Sequence, residues 1–180
     1  MKYLFLDIDG VLVNHAPISR TGRRFTPTTP WHLDYDRNCV KQLNRVIEAT
    51  DALVVLSSAR RINGFKNMER WLWRAGMKAS LYDMTPETVK GYRGREIDQW
   101  LGRRRESPFV IIDDDDDMHP HMDRLVLTDG GVGLTREKAD EAIDILEGSC
   151  IVMPRSITGT SDRWSESVGN STQSTLPLLQ

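Results

Sequence analysis

The chain begins with a short apolar run that ends in acidic residues. Residues 3–8 are apolar apart from Asp7, and Asp9 and Gly10 follow directly. A continuous apolar run of this length is typical of a strand that is buried on both faces, as strands are in a parallel sheet. The sequence therefore predicts a first strand that carries Asp7 and Asp9 at its carboxyl end.

Strand-like and helix-like segments alternate along the rest of the chain. Four further segments have the length and apolar character of strands, and these are residues 52–56, 79–82, 109–112 and 125–127. Four segments have the apolar spacing of helices, and these are residues 36–49, 65–75, 94–101 and 135–146. We expect Gly76 to end the second helix and Thr135 to cap the last one. This alternation predicts an α/β domain with a mostly parallel sheet and right-handed crossovers.

The length of 180 residues suits one domain of ordinary size. We predict that this domain covers residues 1–153, with an irregular flap at residues 14–34, which are rich in Thr, Pro, Arg and His. The composition of residues 155–180 changes to Ser, Thr, Gly and Asn, which predicts a tail without stable order. Little chain remains between the predicted strands, so we expect no sizeable cap domain over the site.

Charge and composition narrow the class of protein. The formal net charge is -2, so no overall basic field indicates nucleic-acid binding. No apolar run is long enough to cross a membrane, and the one at the N-terminus is too short for a signal peptide. Cys39 and Cys150 match no zinc or redox spacing, and we interpret both as reduced structural residues. These features predict a soluble cytoplasmic protein without a membrane partner.

Polar residues follow three of the predicted strands. Asp7 and Asp9 follow the first strand, Ser57 follows the second, and Asp113 to Asp117 follow residues 109–112. Open α/β sheets bind ligands at these carboxyl ends, so the side chains are expected to converge. Carboxylates that are held close together repel each other unless a cation lies between them. Oxygen ligands favour a hard ion such as Mg²⁺, which also binds substrate phosphate, and we predict a Mg²⁺ site.

The spacing of these residues suggests roles in phosphoryl transfer. Asp7 and Asp9 are two residues apart, so in a strand their side chains point to the same face. Asp7 is suited to attack phosphorus, and Asp9 to protonate the leaving oxygen and later to accept a proton from water. Ser57 is suited to donate a hydrogen bond to a phosphoryl oxygen. A cation from Arg93 or Lys90 would offset the charge of the transferring group.

Four segments resemble the motifs of the haloacid dehalogenase (HAD) superfamily. Residues 7–12 resemble its first motif and residues 54–57 its second, while Arg93 fits the basic residue of the third. Residues 111–114 resemble the acidic fourth motif. The order and the strand contexts match over roughly residues 1–147. The resemblance implies a HAD-like Rossmannoid three-layer sandwich and a phosphohydrolase activity.

The resemblance also implies specific metal ligands and catalytic residues. Asp7 would be both the nucleophile and a metal ligand. Asp9 would act as the acid and base and would bind the metal through its backbone carbonyl. Asp113 or Asp114 would complete the Mg²⁺ site, together with Asp117. The run of five aspartates leaves this register open by one residue.

A narrower resemblance concerns the residues that would hold the phosphoryl group. Four segments resemble the HAD domain found in Swiss Army Knife RNA repair proteins, and these are residues 56–60, residues 93–97, the aspartate run and residues 133–135. Members of that group often have Trp at the position of Ala59. The resemblance implies that Ser57, Ser58 and either Arg93 or Lys90 bind the phosphoryl group.

An uncapped site would admit a large phosphorylated substrate. The leading hypothesis is a Mg²⁺-dependent phosphomonoesterase, with nucleic-acid 3′-phosphate ends as a candidate substrate. A phosphoprotein would also fit an open site. A first alternative is a phosphatase of small metabolites or nucleotides. A second is a non-catalytic module that binds phosphate or metal within a repair or phage assembly. Fold by itself does not decide between these substrates.

Overall fold

A computed structural model describes residues 1–14, 34–88 and 92–148 of the protein. The elements, in chain order, are β1 (Tyr3–Leu6), α1 (Arg37–Thr50), β2 (Leu53–Leu56), α2 (Phe65–Ala75), β3 (Leu81–Met84), α3 (Arg93–Leu101), β4 (Phe109–Asp113), β5 (Leu125–Leu127) and α4 (Arg136–Glu147). Nearly all of the predicted flap, Lys90 and the predicted tail lie outside the described residues.

The five strands form one parallel sheet in the order β3-β2-β1-β4-β5. β1 is central, and its last residue, Leu6, pairs with Leu56 of β2 and with Ile112 of β4. Ile112 in turn pairs with Val126 of β5. Because the strands are parallel and in register, the residues that follow β1, β2 and β4 lie along the same edge of the sheet. This confirms the predicted α/β fold.

The two faces of the sheet are covered by different helices. Leu4 and Leu6 of β1 pack into a core with the apolar sides of α1, α2 and α4. Tyr3 and Phe5 point to the opposite face, where they pack against α3. All four β1 residues are buried, as expected for a strand with helices on both sides. The arrangement is the predicted three-layer sandwich.

Local sequence signals account for several helix ends. Asp36 caps α1, because its side chain accepts a hydrogen bond from the backbone N of Asn38 at 2.7 Å. Gly76 ends α2 with a φ of 101°, a conformation that glycine adopts without a steric penalty. The Thr135 side chain accepts a hydrogen bond from the backbone N of Lys138 at the start of α4. The predictions for Gly76 and Thr135 are confirmed.

Two strands, β1 and β3, have boundaries that differ by two residues from the sequence prediction. β1 ends at Leu6 because Ile8 belongs to a turn, in which its carbonyl accepts hydrogen bonds from the backbone N of Leu12 and of Val13. β3 spans Leu81–Met84, two residues later than predicted. It is an edge strand that pairs only with β2, and its middle residues are exposed. Its apolar pattern was therefore weaker than that of a central strand.

The described residues contain no helix with both the length and the apolar character needed to cross a bilayer. In the same ranges, the connections between elements carry no inserted domain. The carboxyl edge of the sheet is therefore not covered by a cap that is built from described residues.

Candidate active site

Three carboxylates meet at the carboxyl edge of the sheet. Asp7 follows β1, Asp113 is the last residue of β4, and Asp114 comes next. One carboxylate oxygen from each lies within 4.8 Å of the others. The backbone N of Asp7 donates to the carbonyl of Ile112 at 3.0 Å, which fixes the two strand ends side by side. The sequence prediction that distant acidic segments converge here is therefore correct in its geometry.

The acidic cluster has the chemistry of a divalent-cation site. Burial raises the pKa of Asp7 to about 6, although the Arg93 guanidinium and a hydrogen bond with Ser58 act in the opposite direction. Burial and the nearby charge of Asp7 raise the pKa of Asp113 to about 8. Among the described residues, the buried Oδ2 atom of Asp113 has no hydrogen-bond partner. A hard cation bound by these carboxylate oxygens would offset the repulsion between their negative charges, so Asp7, Asp113 and Asp114 fit such an ion.

Gly10 allows the third carboxylate to approach. A Cβ atom at this position would lie 2.0 Å from Oδ2 of Asp114, and the φ of Gly10 is 74°. Any other residue would collide with the carboxylate and adopt a strained backbone. Thr128 holds the turn in place, since its hydroxyl donates to the Gly10 carbonyl at 3.0 Å. The glycine therefore leaves room for Asp114 to lie beside Asp7 together with Asp113.

Arg93 supplies positive charge beside these carboxylates. It is the first residue of α3, its Nη2 atom is 3.6 Å from Oδ1 of Asp7, and its Nε atom is 3.8 Å from Oδ2 of Asp113. Its Nη1 atom is buried and has no hydrogen-bond partner within the described ranges. The guanidinium can therefore neutralise the carboxylates and still donate to an anion. Lys90, the alternative cation, lies outside the described residues.

The two serines after β2 have different surroundings. The backbone N of Ser57 donates to the carbonyl of Leu6 at 2.8 Å, so Ser57 lies beside the start of the acidic segment. Its buried hydroxyl has no partner in the part of the chain that the structure describes, which leaves it available to a phosphoryl oxygen. The Ser58 hydroxyl instead contacts Asp7 and accepts from the backbone N of Arg60 at 3.3 Å. Its role in phosphate binding remains a prediction.

The carboxylate of Asp9 is held by an arginine. Nε of Arg60 donates to Oδ2 of Asp9 at 2.9 Å, and Nη2 donates to Oδ1 at 2.5 Å. The same guanidinium binds Asp34 and lies 5.6 Å from the ring centre of Trp71. Burial lowers the pKa of Arg60, but the hydrogen bonds to Asp9 and Asp34 outweigh this effect and raise it above its ordinary value. The metal contact predicted for the Asp9 carbonyl remains a prediction.

Sequence reasoning did not assign a role to Arg60. The sequence feature that could have indicated a role for Arg60 is its position three residues after Ser57, in the segment that follows the end of a strand. Residues in such connections are often placed at ligand sites by the rigid sheet. Its partners lie 51 and 26 positions away in the sequence, so no local pattern indicated the pairing.

The rest of the acidic run organises the start of α3. The backbone N of Asp115 donates to Oδ1 of Asp113 at 3.0 Å. Oδ2 of Asp117 accepts a hydrogen bond from the backbone N of Arg93 at 3.2 Å. The backbone carbonyl of Asp117 accepts a hydrogen bond from the backbone N of Gly94. Asp117 is not a member of the three-carboxylate cluster. Its predicted role as a metal ligand remains a prediction, and the observed contact fixes the backbone that carries Arg93.

A buried ion pair between Arg61 and Glu96 of α3 was also missed. Nη2 of Arg61 donates to Oε2 of Glu96 at 2.8 Å, and its Nη1 donates to the hydroxyl of Thr85 at 2.7 Å. The other carboxylate oxygen of Glu96 accepts from the backbone N of Thr88 at 2.9 Å. These contacts join the segments that follow β2 and β3 to the helix that carries Arg93.

The parallel sheet and the order of the site residues are those of HAD phosphohydrolases. Asp7 follows β1, the Ser57 hydroxyl follows β2, Arg93 starts α3 and acidic residues end β4. A family model described as "HAD domain in Swiss Army Knife RNA repair proteins" matches residues 3–139. The chain belongs to this family, which confirms the resemblance inferred from its motifs. Searches of the curated proteins and of the solved structures returned no significant match.

Proposed function

We propose that the protein is a Mg²⁺-dependent phosphomonoesterase that works through a phosphorylated Asp7. Membership of the HAD family supports a phosphohydrolase of this type in general. The observation that carries the proposal is the cluster of Asp7, Asp113 and Asp114, whose carboxylate oxygens lie within 4.8 Å of one another beside the guanidinium of Arg93. The cluster supplies a nucleophile, the ligands for a cation and a positive charge at one point.

The reaction proceeds in two steps at Asp7. In the first step a carboxylate oxygen of Asp7 forms a bond to phosphorus, the bond from phosphorus to the leaving oxygen breaks, and Asp9 in its protonated form gives that oxygen its proton. In the second step water attacks the phosphorus, the bond from phosphorus to the Asp7 oxygen breaks and releases inorganic phosphate, and Asp9 takes up the water proton. A cation held by Asp7, Asp113 and Asp114 would reduce the repulsion between the carboxylate and the phosphoryl oxygens.

Side chains around the nucleophile hold the phosphoryl group. The Ser57 hydroxyl and Nη1 of Arg93 are buried donors at the carboxyl edge of the sheet, and each binds a phosphoryl oxygen. Ser58 contacts Asp7 and orients its carboxylate. Arg60 orients Asp9 through two hydrogen bonds, which limits the directions from which the leaving group can be protonated.

Nucleic-acid 3′-phosphate ends are the substrate that we propose first. The family is described from RNA repair proteins, and a chain end needs an open site. The connections among the described residues insert no domain over the carboxyl edge of the sheet, which supports a site that is open to a large substrate. Free nucleotides and small phosphorylated metabolites are the alternative substrates within the same chemistry.

The proposal is tested with an aryl phosphate and a matched pair of variants. We expect Asp7→Asn to abolish hydrolysis, because an amide is not a nucleophile of this kind, while the fold is kept. Asp116→Asn changes an exposed member of the acidic run in the same way and should retain activity. Activity should also disappear with a chelator and return with Mg²⁺. Turnover that survives Asp7→Asn would reject the mechanism.

The substrate is tested with a panel of phosphate monoesters. We expect the wild-type protein to hydrolyse oligonucleotides that end in a 3′-phosphate with a higher kcat/KM than free nucleotides or sugar phosphates. A preference for one small metabolite would instead indicate a metabolite phosphatase. Tight binding of phosphate without any turnover would indicate a non-catalytic module.

A further inference from the structure

A cavity opens beside the start of α3. It has a volume of about 420 Å³ and is lined by Tyr92, Arg95, Asp117 and His119. Tyr92 is 52% exposed, and Cζ of Arg95 lies 5.5 Å from the centre of the Tyr92 ring. The volume is within the range of about 300–1,000 Å³ that is usual for small-molecule sites. We name this cavity the Tyr92 pocket.

The Tyr92 pocket lies at the start of the helix that carries Arg93. Tyr92 directly precedes Arg93, whose Nη2 atom is 3.6 Å from Oδ1 of Asp7. Consecutive Cα atoms are only about 3.8 Å apart. Asp117, which lines the pocket, also accepts a hydrogen bond from the backbone N of Arg93 at 3.2 Å. The pocket and the guanidinium that faces Asp7 therefore share the first turn of α3.

The backbone around the pocket is closely packed. A Cβ atom on Gly94 would lie 2.2 Å from the carbonyl oxygen of His119. The backbone N of Gly94 donates to the carbonyl of Asp117 at 3.3 Å. The two walls of the pocket, the first turn of α3 and the segment after β4, are thus held against each other, and the pocket does not depend on side chains alone.

The side chains of the pocket match a planar, polar group. The Tyr92 ring and the Arg95 guanidinium are both flat surfaces on which an aromatic base can stack. Asp117 can accept hydrogen bonds from sugar hydroxyls or from base N–H groups. A purely apolar group would bury Arg95 and Asp117 without new partners, which is unfavourable.

We propose that the Tyr92 pocket binds the base and the sugar of a nucleotide whose phosphate is held at Asp7. The inference rests on the proposed phosphatase function and adds a specificity site to it. A base, a sugar and a phosphate are present both in a free nucleotide and in the last nucleotide of a nucleic-acid strand.

The first test compares kcat/KM for adenosine 3′-monophosphate with kcat/KM for glycerol 2-phosphate, which has no base. Stacking of a base on an aromatic ring contributes about 1–3 kcal/mol, which is roughly five- to a hundredfold. We therefore expect Tyr92→Leu to lower the ratio by about tenfold. Tyr92→Phe keeps the ring and should keep the ratio. Trp73→Leu removes an aromatic side chain that is 73% exposed elsewhere on the surface, and should not change it.

A binding measurement decides the inference without turnover. In the Asp7→Asn background, calorimetry gives the affinity for adenosine 3′-monophosphate relative to that for inorganic phosphate. We expect Tyr92→Leu to lower this relative affinity by about tenfold. If the wild-type protein hydrolyses nothing but Tyr92→Leu weakens nucleotide binding, the phosphatase proposal fails and the pocket assignment stands. An unchanged ratio in both experiments overturns the assignment.

Two further substrates identify the source of the nucleotide. A trinucleotide that ends in a 3′-phosphate should exceed adenosine 3′-monophosphate in kcat/KM if the pocket serves strand ends, and should not if it serves free nucleotides. Tyr92→Leu should lower both rates. A phosphotyrosine peptide that is hydrolysed faster than either nucleotide, with a loss of rate in Tyr92→Leu, would overturn the nucleotide assignment in favour of a protein substrate.

Discussion

Arg60 and Asp9 form a two-point ion pair, with Nε of the arginine 2.9 Å from Oδ2 of the aspartate and Nη2 2.5 Å from Oδ1. Bidentate pairs of this kind fix the plane of the carboxylate as well as its position. The guanidinium is itself held by Asp34 and lies over Trp71. The side chain to which we assign proton transfer is therefore oriented by contacts that lie outside the acidic cluster.

Loss of Arg60 should affect poor leaving groups most. We expect Arg60→Ala to lower kcat by about ten- to a hundredfold for an alkyl phosphate, because positioned proton donors contribute about 10²–10⁴-fold and only part of this should be lost. The reduction should be much smaller for a nitrophenyl phosphate, whose leaving group needs little protonation. Steady-state rates over a series of leaving groups measure this difference.

Arg60→Lys serves as the conservative control for this experiment. Lysine keeps the charge but cannot make the two-point contact, so its effect should be intermediate. Equal losses for alkyl and aryl substrates would show that Arg60 supports the fold and does not orient Asp9.

The stability of the metal-free protein should fall as the pH rises. Asp7 and Asp113 have folded-state pKa values of about 6 and about 8, above the usual 3.8 that applies to the unfolded chain. Between about pH 4 and pH 8 the folded state therefore binds more protons than the unfolded state, and the free energy of unfolding decreases with pH. Mg²⁺ should reverse this decrease, because it stabilises the ionised carboxylates.

Thermal unfolding at about pH 5 and pH 8.5, with a chelator or with Mg²⁺, measures this effect. A change of 1 kcal/mol corresponds to roughly 2–4 °C in Tm for a chain of this size. We expect the shift caused by Mg²⁺ to be several degrees larger at the higher pH. Asp113→Asn should reduce both the pH dependence and the Mg²⁺ shift. A Mg²⁺ shift that is the same at both pH values would contradict the prediction.

Gly10 should be needed for the metal site as well as for the turn. Gly10→Ala places a Cβ atom 2.0 Å from Oδ2 of Asp114, so we expect Mg²⁺ affinity to fall by at least tenfold. Gly148 is a matched control, since its φ is 68° but a Cβ atom there would meet nothing within 4 Å. Both variants should lose about 1–2 kcal/mol of stability from the positive φ. Only Gly10→Ala should lose Mg²⁺ binding, which calorimetry measures.

Removal of one partner of the buried Arg61–Glu96 pair should lower the free energy of unfolding strongly. Their side chains are 7% and 4% exposed, so Glu96→Ala leaves an arginine without its counter-charge. We expect a loss of about 3–5 kcal/mol in denaturant unfolding. The double change of Arg61→Met with Glu96→Leu should cost less than the single one. As a control, removal of the exposed Lys138–Glu141 pair should lower the free energy of unfolding by about 0.5 kcal/mol or less. An equally small loss for Glu96→Ala would contradict the prediction.

The sequence determined the fold and the edge of the sheet at which the site residues lie, because both depend on local patterns. An apolar run that ends in polar residues predicts a buried strand and places those residues at its carboxyl end. This reasoning correctly brought Asp7 to the same edge as Asp113. It also placed Arg93 at the start of a helix, where the structure puts its guanidinium beside both carboxylates.

Only the tertiary structure decided which members of the acidic run lie beside Asp7. Five consecutive aspartates have the same local pattern, so the sequence left the register open. The structure places Asp114 against Gly10 and turns Asp117 towards the start of α3. This choice depends on the space that a glycine leaves in another segment, which is a steric property of the packed chain.

The pairings of Arg60 and Arg61 were likewise decided by packing. Arg60 binds Asp9 across 51 positions of sequence, and Arg61 binds Glu96 across 35. Strand and helix periods describe neighbours within a few residues, and they carry no information about which charges meet when the elements pack. Composition and periodicity thus specified the layers and the strand ends, while the close packing of those layers selected the ion pairs that orient the site.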